Sequence, residues 1–269
     1  MELGLKNKVV IVSGGSKGVG AGICEVFAQE GARIVVDFRS DFRQGESFAQ
    51  KLRDDYGVET VAVQADVGQE DAVRRLFATA LERFGTVDIV VNNAATWTKH
   101  LPIEDFAVED YRKASNANVE SVMVMSRELV HIAKEQKKPA HILNVLTKSV
   151  FWSSSINNST YVATKGAVAA LTRNLAHELA KDGIHVNAIV PGYVWNSSMD
   201  PMSERYKCTL AYIPNRTMAT PIEMGYVCAF LCSERASQIN GAVVDTSGGT
   251  MNGHGDAAIC PERDGGETT

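Results

Sequence analysis

Cysteine is scarce and unpatterned in this chain of 269 residues. Five cysteines occur without a CxxC pair, namely Cys24, Cys208, Cys228, Cys232 and Cys260. An odd, unpatterned set argues against a disulfide framework and predicts reduced thiols in a cytoplasmic protein. Cys228 and Cys232 lie four residues apart on a predicted helix, but two thiols alone do not make a zinc site, so no metal is expected.

Basic runs and long apolar runs are missing as well. No apolar stretch approaches the length that spans a membrane, and residues 1–8 lack the apolar core of a signal peptide. The net charge of −5, without a basic run, argues against a nucleic-acid partner. No Pro-, Gly- or Ser-rich linker divides the chain. We therefore expect one domain over residues 1–251 and a polar, loosely ordered tail over residues 252–269.

Short β-branched runs alternate with longer helical patterns along the chain. Seven such runs occur, at residues 9–12, 34–36, 61–63, 89–91, 142–145, 186–190 and 242–244. Their near-continuous apolar character is typical of strands that are buried on both faces of a parallel sheet. The alternation predicts an α/β fold, namely a doubly wound, Rossmann-like seven-stranded parallel sheet with helices on both faces.

Tyr161 and Lys165 stand four residues apart in a predicted helix. This spacing places both side chains on one helix face. A neighbouring ammonium favours the phenolate and would lower the tyrosine pKa from its usual value of about 10. A tyrosine tuned in this way can act as an acid or base near neutral pH. The same spacing also occurs by chance on helix surfaces, so the pair needs support from other motifs.

A glycine-rich turn follows the first predicted strand and reads Ser13-Gly14-Gly15-Ser16-Lys17-Gly18-Val19-Gly20. Its glycines allow a tight turn and the close approach of a pyrophosphate to the backbone. The helix that follows adds free N–H groups and the positive end of its dipole. A turn of this kind between a strand and a helix predicts a nucleotide-binding site.

The Gly-x-x-x-Gly-x-Gly spacing of this turn and the motifs after it resemble the short-chain dehydrogenase/reductase family. The further motifs, in chain order, are Asp66-Val67, Asn92-Asn93-Ala94-Ala95, Asn118, Tyr161 with Lys165, and Pro191-Gly192. Each motif is short, but their joint order along one chain is specific. The resemblance implies an NAD(P)-dependent oxidoreductase that transfers a hydride between nicotinamide and a ketone or secondary alcohol.

The resemblance also implies roles for individual residues. Tyr161 would be the general acid/base, and Lys165 would lower its pKa and hold the nicotinamide ribose. Asn118 would support Lys165 through a water and help to relay protons, and Asp66 would contact the adenine ring. The implied cofactor-binding residues are Gly14, Ser16, Lys17, Gly18, Val19, Gly20, Arg39, Ser40, Asp66, Val67, Asn93, Ala94, Ala95, Tyr161, Lys165, Pro191, Gly192 and Val194.

Two positions depart from the family pattern. Thr147 stands where the family has its catalytic serine, and it keeps a hydroxyl that can hydrogen-bond a carbonyl oxygen. It lies 14 residues before Tyr161, one more than the family spacing, so Ser149, at 12 residues, is a rival. Thr147 can also be interpreted as a β-branched residue at a strand end. Ala95 replaces the usual glycine, which questions the backbone shape there.

The end of the second strand bears on the choice of nicotinamide cofactor. Phe38 occupies the position where an NAD-dependent member has an acidic residue, and Asp37 is expected to point to the other face. Arg39 and Ser40 could hold a 2′-phosphate, with Lys17 as a second cation on the same side. The pattern favours NADP (NADPH), while Asp37 leaves NAD open.

Loops after three predicted strands contain all three tryptophans. They supply the candidate substrate residues Trp97, Ser149, Trp152, Tyr193 and Trp195, and residues 195–218 are expected to form a lid. The aromatic residues would either line a pocket for a bulky ring or anchor the loops. A cluster of small polar residues would instead suit a polyol or sugar, namely Ser153, Ser154, Ser155, Asn157 and Asn158.

The family resemblance implies a homotetramer or homodimer and no membrane partner. The apolar residues 122–125 would pack either between subunits or in the core. Two other functions stay open, namely an epimerase or dehydratase, and a nucleotide-sensing protein without catalysis. Thr147 is the feature that favours a sensor, whereas Tyr161, Lys165 and Asn118 favour an enzyme that acts on a small carbonyl compound or alcohol.

Overall fold

The structure is a computed structural model that describes residues 2–152 and 156–252. The predicted tail beyond Asn252, and Ser153, Ser154 and Ser155 among the candidate polyol residues, lie outside these ranges. The strands are β1 (Val9–Val12), β2 (Arg33–Phe38), β3 (Thr60–Gln64), β4 (Ile89–Asn92), β5 (Ala140–Val145), β6 (Ile184–Pro191) and β7 (Val243–Thr246). The α-helices are α1 (Gly18–Gln29), α2 (Phe42–Tyr56), α3 (Glu70–Phe84), α4 (Val108–Ser115), α5 (Ser121–Gln136), α6 (Ser159–Leu179), α7 (Glu204–Tyr212) and α8 (Pro221–Leu231).

The seven strands form one sheet in the order β3-β2-β1-β4-β5-β6-β7, and every pairing is parallel. This confirms the predicted Rossmann-like sheet, and each predicted run overlaps one strand. The strand order reverses between β1 and β4, which are neighbours although far apart in sequence. In open parallel sheets, ligands bind outside the carboxyl ends of the strands at such a reversal. The loops after β1 and β4 therefore mark the predicted crevice.

Alternate residues of β1 enter two separate hydrophobic clusters. Val10 and Val12 pack with α1 and α8 on one face of the sheet, where Phe27 is fully buried. Val9 and Ile11 pack with α3 and α5 on the other face. Because both faces are covered by helices, the strand is apolar at every position, as the sequence pattern indicated.

Helices α1 and α8 approach each other closely through glycine. A Cβ atom on Gly22 would lie 2.2 Å from the carbonyl carbon of Pro221, and one on Gly225 would lie 2.5 Å from the carbonyl oxygen of Gly22. Helix α8 begins with a capping box formed by Thr220 and Glu223. The start of α8, just after the predicted lid, thus packs directly on α1, the helix that follows the glycine-rich turn.

The cysteines only partly follow the prediction of reduced thiols. Cys24, Cys228 and Cys232 are free and buried, and burial raises the pKa of each thiol. Cys208 is disulfide-bonded, which corrects the prediction at that position. The described residues contain no group of three side chains with metal-ligating chemistry. They also contain no helix that is long and apolar enough to span a membrane.

Candidate active site

The glycine-rich turn leaves open space in front of α1. Gly14 and Gly18 have positive φ angles of 62° and 54°, which favour glycine, and a Cβ atom on Gly18 would meet nothing within 4 Å. A Cβ atom on Gly20 would instead lie 2.2 Å from the carbonyl oxygen of Gly14. Lys17, at the start of α1, makes no capping hydrogen bond with its side chain. The uncapped helix N-terminus beside open space fits a pyrophosphate group.

The residues after β4 are tied to this turn by hydrogen bonds. Asn93 Nδ2 donates to the Ser13 and Gly14 carbonyl oxygens at 2.9 and 3.2 Å. The backbone N–H groups of Asn93 and Ala94 both donate to Ser13 Oγ at 3.0 Å. Ala95 is not among the residues with positive φ, so the alanine is accommodated without a left-handed backbone.

The side chains at the end of β2 point in opposite directions, as strand alternation predicts. Phe38 contacts α2, where its ring lies 6.2 Å from that of Phe42 in an edge arrangement. Asp37 turns towards the glycine-rich turn, and its Oδ2 accepts a hydrogen bond from Gly14 N–H at 3.1 Å. Gly15 N–H donates to the Asp37 carbonyl oxygen at 2.7 Å. The turn that contains Lys17 therefore lies against the end of β2.

Asp37 is a buried carboxyl group, and Arg39 and Ser40 are exposed just beyond it. Its Oδ1 atom is buried and has no hydrogen-bond partner among the residues that the structure describes, whereas Oδ2 accepts a hydrogen bond from Gly14. Burial raises the pKa of Asp37 to about 7, and the hydrogen bond from Gly14 opposes this shift. Sequence alternation placed the side chain correctly but gave no sign of its bond to the turn.

Tyr161 and Lys165 are buried on α6 near the end of β5. Lys165 Nζ donates to the carbonyl oxygen of Val145, the last residue of β5, at 2.8 Å. Burial lowers the pKa of Lys165 to about 8. Burial also raises the pKa of Tyr161, so the predicted lowering by Lys165 is wrong for this arrangement. Removal of the phenol from water is the dominant effect, and the ammonium is directed at a backbone carbonyl.

Trp97 covers the ring of Tyr161. The two ring centroids are 4.1 Å apart and the rings are nearly parallel, at 18°. Tyr161 is only 4% exposed, whereas Trp97 is 64% exposed. The indole is therefore part of the surroundings that remove the phenol from water.

Asn118 lies in a π-helical turn, Asn116–Glu120, between α4 and α5. Its Oδ1 accepts from Thr96 N–H at 2.7 Å, and its Nδ2 donates to the Thr96 carbonyl oxygen at 3.1 Å and to Thr164 Oγ1 at 3.0 Å. Turns of this type occur frequently at functional sites. Asn118 thus joins the segment after β4 to the helix that contains Tyr161 and Lys165.

Both candidate hydroxyl groups follow β5. Thr147 keeps an extended backbone, and its Oγ1 accepts from Ser149 N–H at 3.4 Å, a long hydrogen bond. Ser149 lies in the 3₁₀ turn Lys148–Val150 and is buried. Between them, Lys148 packs its Nζ 3.9 Å from the Tyr193 ring centroid and 4.9 Å from that of Tyr212. This turn therefore contacts both the loop after β6 and α7 of the predicted lid.

The remaining candidates lie at the same edge of the sheet or on its flank. Pro191 ends β6, and a Cβ atom on Gly192 would lie 2.8 Å from Ser247, so the loop packs closely on the turn after β7. Val194 forms a bridge with Ala219, which closes the base of the predicted lid. Trp152 and Trp195 are each 38% exposed. Asp66 and Val67 follow β3, and Asp66 Oδ1 accepts a hydrogen bond from Gly68 N–H at 3.1 Å. Ser16 lies in the glycine-rich turn, and Val19 lies in the first turn of α1.

Sequence reasoning missed the residues that hold these candidates together. Ser13 binds the segment after β4, and Thr96 and Thr164 bind Asn118. Ser13 stands inside the glycine-rich motif, so its position was a usable signal. Thr96 stands among the loop residues considered for the substrate and Thr164 stands beside Lys165, but their contacts with Asn118 join segments that are far apart in the chain and follow no local pattern.

Comparison with known proteins gives consistent relatives over nearly the whole chain. A family model described as enoyl-(acyl carrier protein) reductase matches residues 14–251. Glucose 1-dehydrogenase 2 of Bacillus subtilis is 31% identical over 247 residues, 91% of this chain and 95% of that protein. The 3β-hydroxysteroid dehydrogenase 1 of Eggerthella lenta is 32% identical over 250 residues, 91% of this chain and 94% of that protein.

Solved structures agree with these relatives. L-sorbose reductase from Gluconobacter frateurii, complexed with NADPH and L-sorbose, has a TM-score of 0.87 and 28% identity to this chain. The match covers 94% of this chain and 99% of that one. The match to the family model includes residues 14–20 and the helix with Tyr161 and Lys165.

Proposed function

The chain belongs to the short-chain dehydrogenase/reductase family and is an NAD(P)-dependent oxidoreductase; we propose that it prefers NADP and uses Tyr161 as general acid/base. Its substrate would be a ketone or the corresponding secondary alcohol. The observation that carries the proposal is the buried Tyr161 and Lys165 on α6, with Lys165 anchored to the end of β5. This acid–base pair stands at the carboxyl ends of the strands, where such sheets bind ligands.

Open space at Gly18, the uncapped start of α1 and the close packing of Asn93 on the turn support a dinucleotide at the crevice. Lys17 and Arg39 are both exposed, and a hydrogen bond between Gly15 and Asp37 joins the two segments that contain them, so both cations would meet the 2′-phosphate of NADP. Phe38 offers no acceptor for ribose hydroxyl groups. The NADPH complex of the related L-sorbose reductase further supports NADP.

Bound nicotinamide would supply the hydride in reduction and accept it in oxidation. Tyr161 would donate its phenol proton to the substrate oxygen, and its raised pKa keeps that proton available at neutral pH. Lys165, with a pKa of about 8, is mostly charged at pH 7 and would stabilise the phenolate that forms. Thr147 would orient the substrate oxygen, with Ser149 as the rival hydroxyl group.

The proposed roles of the remaining side chains are positional. Asn118 would keep the segment after β4 in contact with α6 through Thr96 and Thr164. Pro191, Gly192 and Val194 would contact the nicotinamide side of the site, while Asp66 and Val67 would contact the adenine side. The two relatives are named for a sugar and for a steroid, so their names do not agree on one substrate class. The substrate class of this chain is therefore inferred from its own loop residues.

A turnover assay tests the function and the cofactor preference together. Ketones and secondary alcohols are offered with NADPH or NADH, and the cofactor absorbance is followed. We expect net oxidation of NADPH by a ketone and a kcat/KM at least about tenfold higher with NADPH than with NADH. Arg39→Leu should lower kcat/KM for NADPH about 10- to 150-fold and leave NADH unaffected, because one charge-assisted contact of about 1.5–3 kcal/mol is lost.

Arg75→Leu is the matched control, since Arg75 is an exposed arginine on α3. It should change neither cofactor's kcat/KM by more than about twofold. Product formed without net consumption of cofactor would indicate an epimerase or dehydratase, and cofactor binding without any turnover would indicate a sensor. Either result contradicts the proposed reaction, and a clear preference for NADH contradicts the proposed cofactor.

A further inference from the structure

Hydrogen bonds of the residues before and after Trp97 hold this part of the chain next to Tyr161. Thr96 exchanges two hydrogen bonds with Asn118, at 2.7 and 3.1 Å. Thr98 Oγ1 is hydrogen-bonded to Thr160 Oγ1, the residue directly before Tyr161. A chain pinned at both neighbours leaves the indole little freedom to move away from the phenol. The stack between Trp97 and Tyr161 is therefore supported by hydrogen bonds of both neighbouring residues.

The indole nevertheless exposes most of its surface. Trp97 is 64% exposed even though its ring lies against Tyr161. Large exposed apolar surface is typical of ligand-binding or interaction sites, and this surface lies against the proposed acid/base. The stacking also fixes what a substrate meets. A substrate whose carbonyl oxygen accepted the Tyr161 proton would lie beside the indole that stacks on this phenol.

The neighbouring loops continue this apolar surface. The strands β4, β5 and β6 are adjacent in the sheet, so the loops at their carboxyl ends share one edge. The loops after β5 and β6 expose further large apolar side chains, namely Phe151, Trp152, Ile156, Trp195 and Met202. A cleft beside Thr160 is lined partly by Leu101, Ile103 and Phe106. Of the two described asparagines that would suit a polyol, Asn157 is exposed and Asn158 is 3% exposed.

Resting on the proposed function, we propose that the substrate has a flat apolar ring next to its reacting carbon, and that Trp97 is the specificity-determining residue that contacts this ring. Flat apolar groups stack favourably on indole, whereas an open polyol would have to lose water at the exposed apolar side chains. Trp97 selects the substrate, and Tyr161 performs the proton transfer.

The experiment compares three ketones at saturating NADPH. Acetophenone and 2-octanone have the same number of carbons but differ in having a flat ring or a chain, and fructose represents a polyhydroxylated ketone. The variants are Trp97→Leu, which removes the flat face, and Trp97→Phe, which keeps one. Tyr226→Leu is the matched aromatic-to-leucine control, because Tyr226 is 53% exposed on α8.

We expect the wild-type protein to prefer acetophenone to fructose. Trp97→Leu should lower kcat/KM for acetophenone about tenfold, with a change of less than about threefold for 2-octanone. Trp97→Phe should stay within about threefold of wild type for all three ketones, and Tyr226→Leu should behave as wild type. Acetophenone should also quench the fluorescence of the wild type more than that of Trp97→Phe.

A preference for fructose, or an equal loss for all ketones in Trp97→Leu, would overturn the inference. The proposed function is tested separately by Tyr161→Phe with the same ketones. Loss of turnover in Tyr161→Phe, together with no ring-specific effect at Trp97, leaves the proposed function in place and ends the inference. Retained turnover in Tyr161→Phe contradicts the proposed function, whatever the Trp97 variants show.

Discussion

Asp37 is a carboxyl group whose surroundings disfavour its charge. It is 2% exposed, and within residues 2–152 and 156–252 only one of its two carboxyl oxygens has a hydrogen-bond partner, the N–H group of Gly14 in the glycine-rich turn. Burial raises its pKa from 3.8 to about 7. Between these values the unfolded chain releases the proton while the folded protein keeps it. Stability from this residue is therefore present below pH 4 and is lost as the pH rises towards 7.

Asp37→Asn should remove this pH dependence, because the amide is uncharged and its oxygen can still accept from Gly14. We expect the variant to melt at about the wild-type temperature at pH 4 or below and to melt several degrees higher than wild type at pH 8. Thermal unfolding at several pH values, without added cofactor, measures this. An unchanged difference in melting temperature across the pH range would show that Asp37 does not carry a raised pKa.

Chemical identities at the site were predictable from the sequence, but their interactions were not. Tyr161 and Lys165 were predicted from their spacing on a helix, and Asn118 was predicted from the family resemblance. The direction of the Tyr161 pKa shift was wrong, because helical spacing gives the proximity of a cation but not the degree of burial. The stack with Trp97 joins two segments far apart in the chain, and no local pattern contains it.

At the scale of elements, the packing of α1 against α8 depends on glycine. Gly22 and Gly225 let the two backbones touch, and this contact links the start of α8 to the helix behind the glycine-rich turn. Gly166 on α6 differs, because a Cβ atom there would meet only Val150, at 4.0 Å. The chain thus contains helical glycines with a steric requirement and one without it.

Gly22→Ala should destabilise the protein by about 1–3 kcal/mol, since the added methyl group overlaps the Pro221 backbone. Gly166→Ala should stabilise it by about 0.5–1 kcal/mol through helix propensity. Thermal or denaturant unfolding of both variants beside the wild type measures the difference. The same sign of effect for both glycines would contradict the packing account.

Element positions were predictable because their signals are local. Each of the seven apolar runs became a strand, with ends displaced by a few residues, since hydrogen bonding to neighbouring strands extends a strand beyond its apolar centre. The lid was predicted as a single long segment, residues 195–218. The segment contains α7, whose N-cap residue is Ser203. Val194 pairs with Ala219 at the two ends of the segment.

At the scale of the molecule, the sheet order joins β1 to β4 and so creates the crevice. Periodicity indicated the number of strands and their parallel character, but no local pattern contains the order in which the strands pair. The residues 122–125 separate into buried Val122 and Met125 and exposed Met123, so one stretch serves the core and the surface. A homotetramer or homodimer stays a prediction, and Met123 is the exposed apolar side chain on α5 that would meet a subunit partner.

The central claim is that the phenol of Tyr161 performs the acid–base step of a hydride transfer. Tyr161→Phe tests it most directly, because phenylalanine keeps the ring that stacks on Trp97 and removes only the hydroxyl group. We expect NADPH-dependent ketone reduction to fall by about 10²–10⁴-fold, while the NADPH dissociation constant stays within about threefold of wild type. Reduction that stays within about tenfold of wild type would contradict the account.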